Sequence, residues 1–351
     1  MKQAVMIKPG KIEIRDVPEP KPGKGEVLLR IKRIGVCGSD IHVWHGKHPY
    51  TSYPVVQGHE FSGIVEEVGE GVENIRVGSK ATAVPQIVCG KCGPCLRGDY
   101  HICDNLKVEG FQAPGVAQEL FVTTTKKIVP LPDSFSFEDG ALVEPASCAV
   151  HAVNRIAILQ GKDGRQFGGW PIENKNVVVF GGGPIGNLVA QVARAKGANV
   201  LISEISDFRL EVAKQCGLEN VTNPKRESFK KAIMRVFGDK GFEIGFECVG
   251  IEQTMQDAIE NIQKGGTIIV MGVFAEHPRV NLGFVQDREL KLIGTLMYKY
   301  EDYLEAVDLI NSGKIVTRPL YSKHYPFTDY EEAYRYIDKQ RDKVMKVFID
   351  L

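Results

Sequence analysis

The chain of 351 residues is 43% hydrophobic and 25% charged, and its 44 Lys and Arg balance its 44 Asp and Glu. It is too long for one ordinary core, so two domains are expected, and the balanced charge leaves neither a basic footprint for nucleic acid nor an acidic tail. The longest apolar runs, NVVVF and TIIVMGVF among them, are far too short to span a bilayer, so no membrane segment is expected.

The amino terminus, MKQAVMIKPGKIEIRD, has no apolar stretch followed by a small-residue cleavage site. No secretory signal is expected, and a cytoplasmic setting is the default. There, clustered cysteines point to metal before disulfides. KIEIRDV, EVLLRIKRIGV, FSGIVEEVG, KATAV and AQELFVTTTKKIV are short, rich in β-branched residues and separated by Gly and Pro. Helical periodicity is scarce before about residue 135, so this part reads as an all-β, partly open barrel.

Within it, GVCGSDIH offers Cys37, Ser39, Asp40 and His42, and GHEFSG offers His59 and Glu60. Singly, each has an ordinary explanation, since a lone Cys is usually core and a His beside Gly is often a turn residue. A catalytic zinc takes three protein ligands and keeps one position open, and Cys37, His59 and one carboxylate would supply that set. Two carboxylates compete. Glu60 adjoins His59, and neighbours on a regular strand point to opposite faces, so both reach one metal only if the backbone bends. Glu144, in LVEPASCAVHA, precedes Pro145, which favours an extended backbone there. Cys148 and His151 follow in the same stretch, and Cys148 reads as a small packing residue.

CGKCGPCLRGDYHIC holds four of the eight cysteines, spaced Cys89-x2-Cys92-x2-Cys95-x7-Cys103. Four thiolates close a tetrahedral zinc shell with no open position, which makes a structural site. An iron–sulfur run of the bacterial ferredoxin kind has a shorter last gap and a following Pro, where this chain has Asp104. A nucleic-acid zinc ribbon would want two separated CxxC pairs and a basic excess. The run therefore holds a lobe, about residues 86–106, and the reaction centre is expected elsewhere.

LQGKDGRQFGGWPIENK, from Leu159 to Lys175, reads as a connecting loop. Then the pattern changes. NVVVF is a buried-strand run, GGGPIG follows, and NLVAQVARAKGANV places Leu188, Val189, Val192 and Ala193 on one helical face. The strand NVLISE, a helix around RLEVAKQCG, the strand FEIGFECVG, the helix EQTMQDAIENIQKGG and the strand TIIVMGV continue the alternation of a doubly wound parallel sheet. Gly181-x-Gly183-x-x-Gly186, with Pro184 and Ile185 inside it, lies between strand and helix, and Glu204 ends the next strand. In that context the motif reads as a dinucleotide site. Its glycines let the backbone approach a pyrophosphate at the helix N-terminus, and the acid accepts from ribose hydroxyls. Glu204 would repel a 2′-phosphate, so NAD is expected over NADP, although Arg209 five residues on offers a phosphate partner. After LKLIGT come a helical stretch, YEDYLEAVDLINSG, and a closing strand, KVMKVFIDL.

GVCGSDIH, GHEFSGIVEEVG, the cysteine lobe, LVEPASCAVHA and VVVFGGGPIG together make the chain resemble the zinc-dependent medium-chain dehydrogenases over essentially its full length. CGSD followed by GHE, with EP in place of a third cysteine ligand, is most similar to the sorbitol (L-iditol) and polyol dehydrogenase branch. The resemblance implies a GroES-like, mostly-β catalytic domain of residues 1–153, a Rossmann domain of residues 154–296, and a return of residues 297–351 to the catalytic domain, with the site in the cleft. It also implies one catalytic and one structural zinc per subunit, and a homodimer or homotetramer. Two departures stand out: the long connector, and EGFQAPGVAQEL in place of the usual GGFAEY.

The expected reaction is the NAD-linked oxidation of a secondary alcohol of a polyol or sugar alcohol to its ketone, and the reverse. Zinc would act as a Lewis acid on the alcohol oxygen. Ser39 would take the proton and pass it through the cofactor ribose to His42. The expected zinc ligands are Cys37, His59 and Glu60, with Glu144 holding the metal's water and exchanging with Glu60 when substrate enters. A threonine dehydrogenase, or a butanediol, inositol or sugar-phosphate dehydrogenase, shares most of these motifs. A protein that senses NAD(H) without catalysis would keep the lobe and the glycine loop, with no reason to hold Cys37, Ser39, His42, His59 and Glu144 together.

Overall fold

In EVLLRIKRIG the residues Val27, Leu29 and Ile31 share one face, and all three are buried, which is the period-two signature of a strand. The computed structural model, which describes residues 1–158 and 172–351, has that strand at Glu26–Gly35. Most of the connector, residues 159–171, lies outside the described residues. The chain divides into two compact units, one of Met1–Glu144, Lys299–Asn311 and Tyr321–Leu351, the other of Pro145–Tyr298 and Ser312–Leu320.

The first unit is built on a seven-stranded sheet. Its order is Tyr321–Pro326, Lys346–Asp350, Glu26–Gly35, Glu60–Val68, Lys80–Ala83 and Ile128–Pro130, with Leu120–Thr124 also pairing the Glu26–Gly35 strand. The carboxyl-terminal strand therefore lies directly beside Glu26–Gly35, antiparallel, with Phe348 opposite Gly35. On the other side Gly35 stands opposite Glu60. Val27, Leu29, Ile31, Ile34, Phe61, Val65, Val347 and Ile349 fill one core with Tyr330 and Tyr334 from the helix Tyr330–Gln340. That helix, and the strands Lys2–Lys8 and Tyr321–Pro326, are not legible as elements in the sequence.

The second unit holds six parallel strands in the order Val221–Thr222, Asn199–Ser203, Asn176–Phe180, Ile244–Glu247, Thr267–Val270, Lys291–Gly294. This is the doubly wound order whose switch point falls beside the first strand. Val177, Val178 and Val179 are wholly buried, as a strand covered on both faces requires. The helix Pro184–Ala195 buries Leu188, Val189, Val192 and Ala193 as the periodicity predicts. The helices Phe229–Phe237 and Leu282–Asp287 are additions to the sequence reading. Among the described residues no helix is long and apolar enough to cross a membrane.

Two local expectations are corrected. The all-β reading of the first part misses a helix, Gly38–Trp44, which begins within GVCGSDIH, is too short to show periodicity and is secured by its amino-terminal contacts instead. More tellingly, Glu144 is not on extended backbone. It sits inside the helix Phe137–Ile158 with Pro145 in its interior. Pro145 removes one helical N–H and disfavours the helix locally. Ala141, Leu142, Val143, Ala146, Ala149 and Val150 are all wholly buried on this helix, and their packing outweighs that local preference.

Candidate active site

Cys37 leaves the Glu26–Gly35 strand and stands at the N-cap of the helix Gly38–Trp44 in an extended conformation. The Asp40 carboxylate accepts its backbone N–H at 2.9 Å. Across the sheet, Gly58 has φ +89°, a left-handed conformation that turns the chain immediately before the strand Glu60–Val68. The bend lets consecutive residues, His59 and Glu60, face one point. The ligand atoms of Cys37, His59 and Glu60 all lie within 4.8 Å of one another, with His59 and Glu60 buried and Cys37 half-buried.

The surroundings orient these groups. His59 Nδ1 faces Asp40 Oδ1 at 3.6 Å, an electrostatic rather than a hydrogen-bonding distance, and this leaves Nε2 for a metal. Gln57 Nε2 donates to Asp40 Oδ1 at 3.3 Å, and the Tyr334 hydroxyl donates to Gln57 Oε1 at 3.1 Å, so a buried polar chain fixes the imidazole. The His59 ring packs on Phe111, 4.9 Å between centroids, and Phe111 stacks in turn on His48 at 4.7 Å. Burial alone would keep His59 neutral, yet Asp40, Cys37 and Glu144 hold its pKa well above the ordinary value. Burial pushes Asp40 upward, with His59 opposing. Thiol, imidazole and carboxylate, with ligand atoms within 4.8 Å of one another, are a donor set that fits zinc with one position left open.

Glu144 is buried but lies outside the three convergent donors; it acts on His59 and Lys346 through its charge. Cys148 and His151 lie further along the same helix and are likewise outside that donor set. Ser39 and His42 are three residues apart on the helix Gly38–Trp44, so their side chains are neighbours on its surface. Burial, with His45 and Lys47 adding to it, lowers the His42 pKa.

Lys346 is absent from the sequence reading. Its Nζ is buried and donates to Glu60 Oε1 at 2.8 Å and Oε2 at 2.6 Å, and to the Val36 carbonyl at 3.2 Å. Burial would lower its pKa, but Glu60, Cys37 and Glu144 raise it. The available signal was a lysine in the apolar closing run VMKVFI.

In the lobe, the sulfur atoms of Cys89, Cys92, Cys95 and Cys103 all lie within 4.8 Å of one another. The N–H groups of Cys89 and Asn105 both point at Cys103 Sγ at 3.3 Å. The Lys91 and Cys92 N–H groups bring the Cys89 thiol down to about 6, while local desolvation and the neighbouring sulfurs push Cys95 up to about 12. Four such thiols become four thiolates only around a cation, so this set also fits zinc. Lys299 Nζ reaches Asp99 at 3.0 Å, and the Tyr300 N–H donates to the Tyr100 hydroxyl at 2.6 Å, tying the lobe to the carboxyl-terminal part of its unit.

In the second unit, Gly181 has φ +96°, and a Cβ there would meet Val249 Cγ2 at 2.7 Å. Gly183 is the N-cap of the helix Pro184–Ala195, and Gly183, Pro184 and Ile185 are half-buried at its mouth. Glu204 follows the strand Asn199–Ser203 and is buried; it accepts from Gly182 N–H at 2.7 Å and Ser206 N–H at 2.8 Å. Arg209 Nη1 lies 3.7 Å from Glu204 Oε2. The loop presents backbone N–H groups and a helix N-terminus, the elements that hold a pyrophosphate.

Residues 23–133 match the family described as alcohol dehydrogenase GroES-like domain, and residues 184–312 that described as zinc-binding dehydrogenase. A 2-dehydro-3-deoxy-L-galactonate 5-dehydrogenase of Pseudoalteromonas atlantica is 36% identical over 90% of this chain and 89% of its own length. A sorbitol dehydrogenase of Halalkalibacterium halodurans is 32% identical over 93% of each chain. An L-threonine 3-dehydrogenase of Pyrococcus horikoshii is 34% identical over 92% of this chain and 90% of its own. An alcohol dehydrogenase of Escherichia coli CFT073 solved with NADH superposes with TM-score 0.87 and 28% identity over 100% of this chain and 99% of its own. A dehydrogenase of Sinorhizobium meliloti 1021 solved with NADP gives 0.86 and 27% over the same shares.

Proposed function

The chain belongs to the zinc-binding dehydrogenases, and on that premise we propose that it interconverts a secondary alcohol of a polyhydroxylated carbon chain, such as a polyol or sugar alcohol, with the corresponding ketone, using NAD. One observation carries this reading: Cys37, His59 and Glu60 converge with a carboxylate as third donor. That set leaves an open position for a substrate oxygen. Cys37, His59 and Glu60 would hold the catalytic zinc, and Cys89, Cys92, Cys95 and Cys103 the structural one. Bound zinc supplies Lewis-acid polarisation of the substrate oxygen. Ser39 takes the hydroxyl proton, and His42 carries it toward water, a role suited to an imidazole whose pKa burial lowers, so that it gives up a proton readily. Glu144 adds negative charge that offsets the cations and steadies His59. In the second unit Gly181, Gly183, Pro184, Ile185 and Gly186 would receive the pyrophosphate, Glu204 the adenosine ribose, and Arg209 the face beside it.

The similarity to an L-threonine 3-dehydrogenase supports a second reading, in which the secondary alcohol is that of an amino acid. An absorbance screen with zinc-loaded protein and NAD over polyols, inositols, sugar acids, threonine and simple alcohols tests both. Turnover of a polyhydroxylated secondary alcohol is expected. Turnover of threonine alone selects the second reading, and no turnover of any secondary alcohol ends both.

A further inference from the structure

Glu60 is claimed by two cations. On one side lie Cys37 and His59, within 4.8 Å, the donors assigned to zinc. On the other lies Lys346, with one ammonium hydrogen-bonded to both oxygens of the carboxylate. The fold builds room for this pair. Gly35 stands between their strands, and a Cβ there would meet Glu60 Oε2 at 2.5 Å and Lys346 Cδ at 3.5 Å. Lys346 and Glu60 are 3% and 1% exposed, so water does not solvate either charge. A buried ion pair of this kind is costly to break from one side, because the ammonium is then left buried with the Val36 carbonyl and no carboxylate bonded to it.

We infer that Lys346 is a positioning residue that competes with the catalytic zinc for Glu60 and so keeps that carboxylate an exchangeable ligand. This rests on the metal assignment above. Each oxygen that Glu60 offers to zinc is an oxygen taken from the ammonium. The ammonium also repels a dication held by the same carboxylate, and in a buried setting that repulsion is poorly screened. Lys346 therefore does two things. It stabilises Glu60 when zinc is absent, and it weakens the hold of Glu60 on zinc when zinc is present. Both effects disappear together if the charge is removed.

The test follows zinc release to a chromogenic chelator, without substrate or cofactor. The release phase that is missing in Cys37→Ser marks this site and separates it from the lobe. Lys346→Met and Lys346→Gln should each slow that phase about tenfold or more, and both should widen the difference in melting temperature between zinc-loaded and metal-free protein. Lys346→Arg keeps the charge and should release zinc at close to the wild-type rate. Neutral variants that release zinc as fast as wild type, or faster, overturn the inference. So does failure of both neutral variants to fold even with zinc, because zinc would then be unable to replace the ammonium at Glu60. If wild type shows no phase that Cys37→Ser abolishes, the metal assignment itself has failed, which is a distinguishable result.

Discussion

Glu60 and Glu144 are both buried carboxylates, but only Glu60 joins the convergent donors. Glu60→Ala should therefore lose the catalytic zinc. Glu144→Ala should retain it while turnover falls roughly 10–100-fold, as for groups that act around a metal. Zinc analysis beside steady-state rates separates the two, and metal loss only in Glu144→Ala reverses the assignment. Glu204 should make NAD the better cofactor. Its carboxylate is fixed by two backbone N–H groups and cannot swing away from a 2′-phosphate. Glu204→Gly should narrow the NAD:NADP ratio of kcat/KM by at least about tenfold, with the Arg209 guanidinium as a counter-charge for the phosphate; equal ratios in wild type and variant refute the assignment. Glu109 gives a pH signature. Burial pushes its carboxyl up to about 6, against the pull of Lys127. The folded protein then binds more protons than the unfolded chain between about pH 4.5 and 6, so this group's contribution is present below that window and lost as pH rises through it. The change is about 2 kcal/mol, and Glu109→Gln should flatten that part of the stability curve.

At the scale of elements, the lobe shows a short segment organised by side-chain chemistry more than by secondary structure. Its only regular pieces are Gln86–Ile87 paired with Lys107–Val108, the four-residue helix Gly93–Leu96 and the turn Tyr100–Ile102. Leu96 is 76% exposed, so no apolar core of its own holds the lobe together. Four-thiolate zinc binding would supply the missing free energy. Protein as purified should carry about two zincs per chain. Cys95→Ser should lose one and lower the melting temperature or the assembly state, while the remaining site keeps its metal. A single zinc in wild type that Cys95→Ser does not remove would refute this.

Across the whole molecule, the six-stranded sheet ends in Lys291–Gly294, which among the described residues has one neighbouring strand, Thr267–Val270. Near it in sequence, Val273, Leu282 and Leu296 are each at least half exposed, at 68%, 67% and 50%. An open edge with apolar side chains about it invites pairing. A homodimer or homotetramer is expected by sedimentation or light scattering. Leu296→Asp together with Val273→Asp should shift the population toward monomer, and a wild-type monomer at micromolar concentration would contradict the expectation.

Local spacing is what made much of this protein legible. The four cysteines lie within fifteen residues, and the glycine loop is a strand, a turn and a helix in immediate succession. The ligands or contacts in each are near in sequence, so no long-range folding is needed to see them. The parallel sheet was legible for the same reason, since buried runs such as NVVVF alternate with helical periods. Tertiary structure decided the rest. Whether Glu60 or Glu144 meets Cys37 and His59 turns on a left-handed Gly58 and on a helix that absorbs Pro145, and neither outcome follows from local preference. Lys346 lies 286 residues from Glu60 along the chain, and only the closing strand, laid beside Glu26–Gly35, brings its charge to the carboxylate. A lysine in an apolar run does not reveal its partner, because burial without a partner is prohibitive and the partner is chosen by strand order.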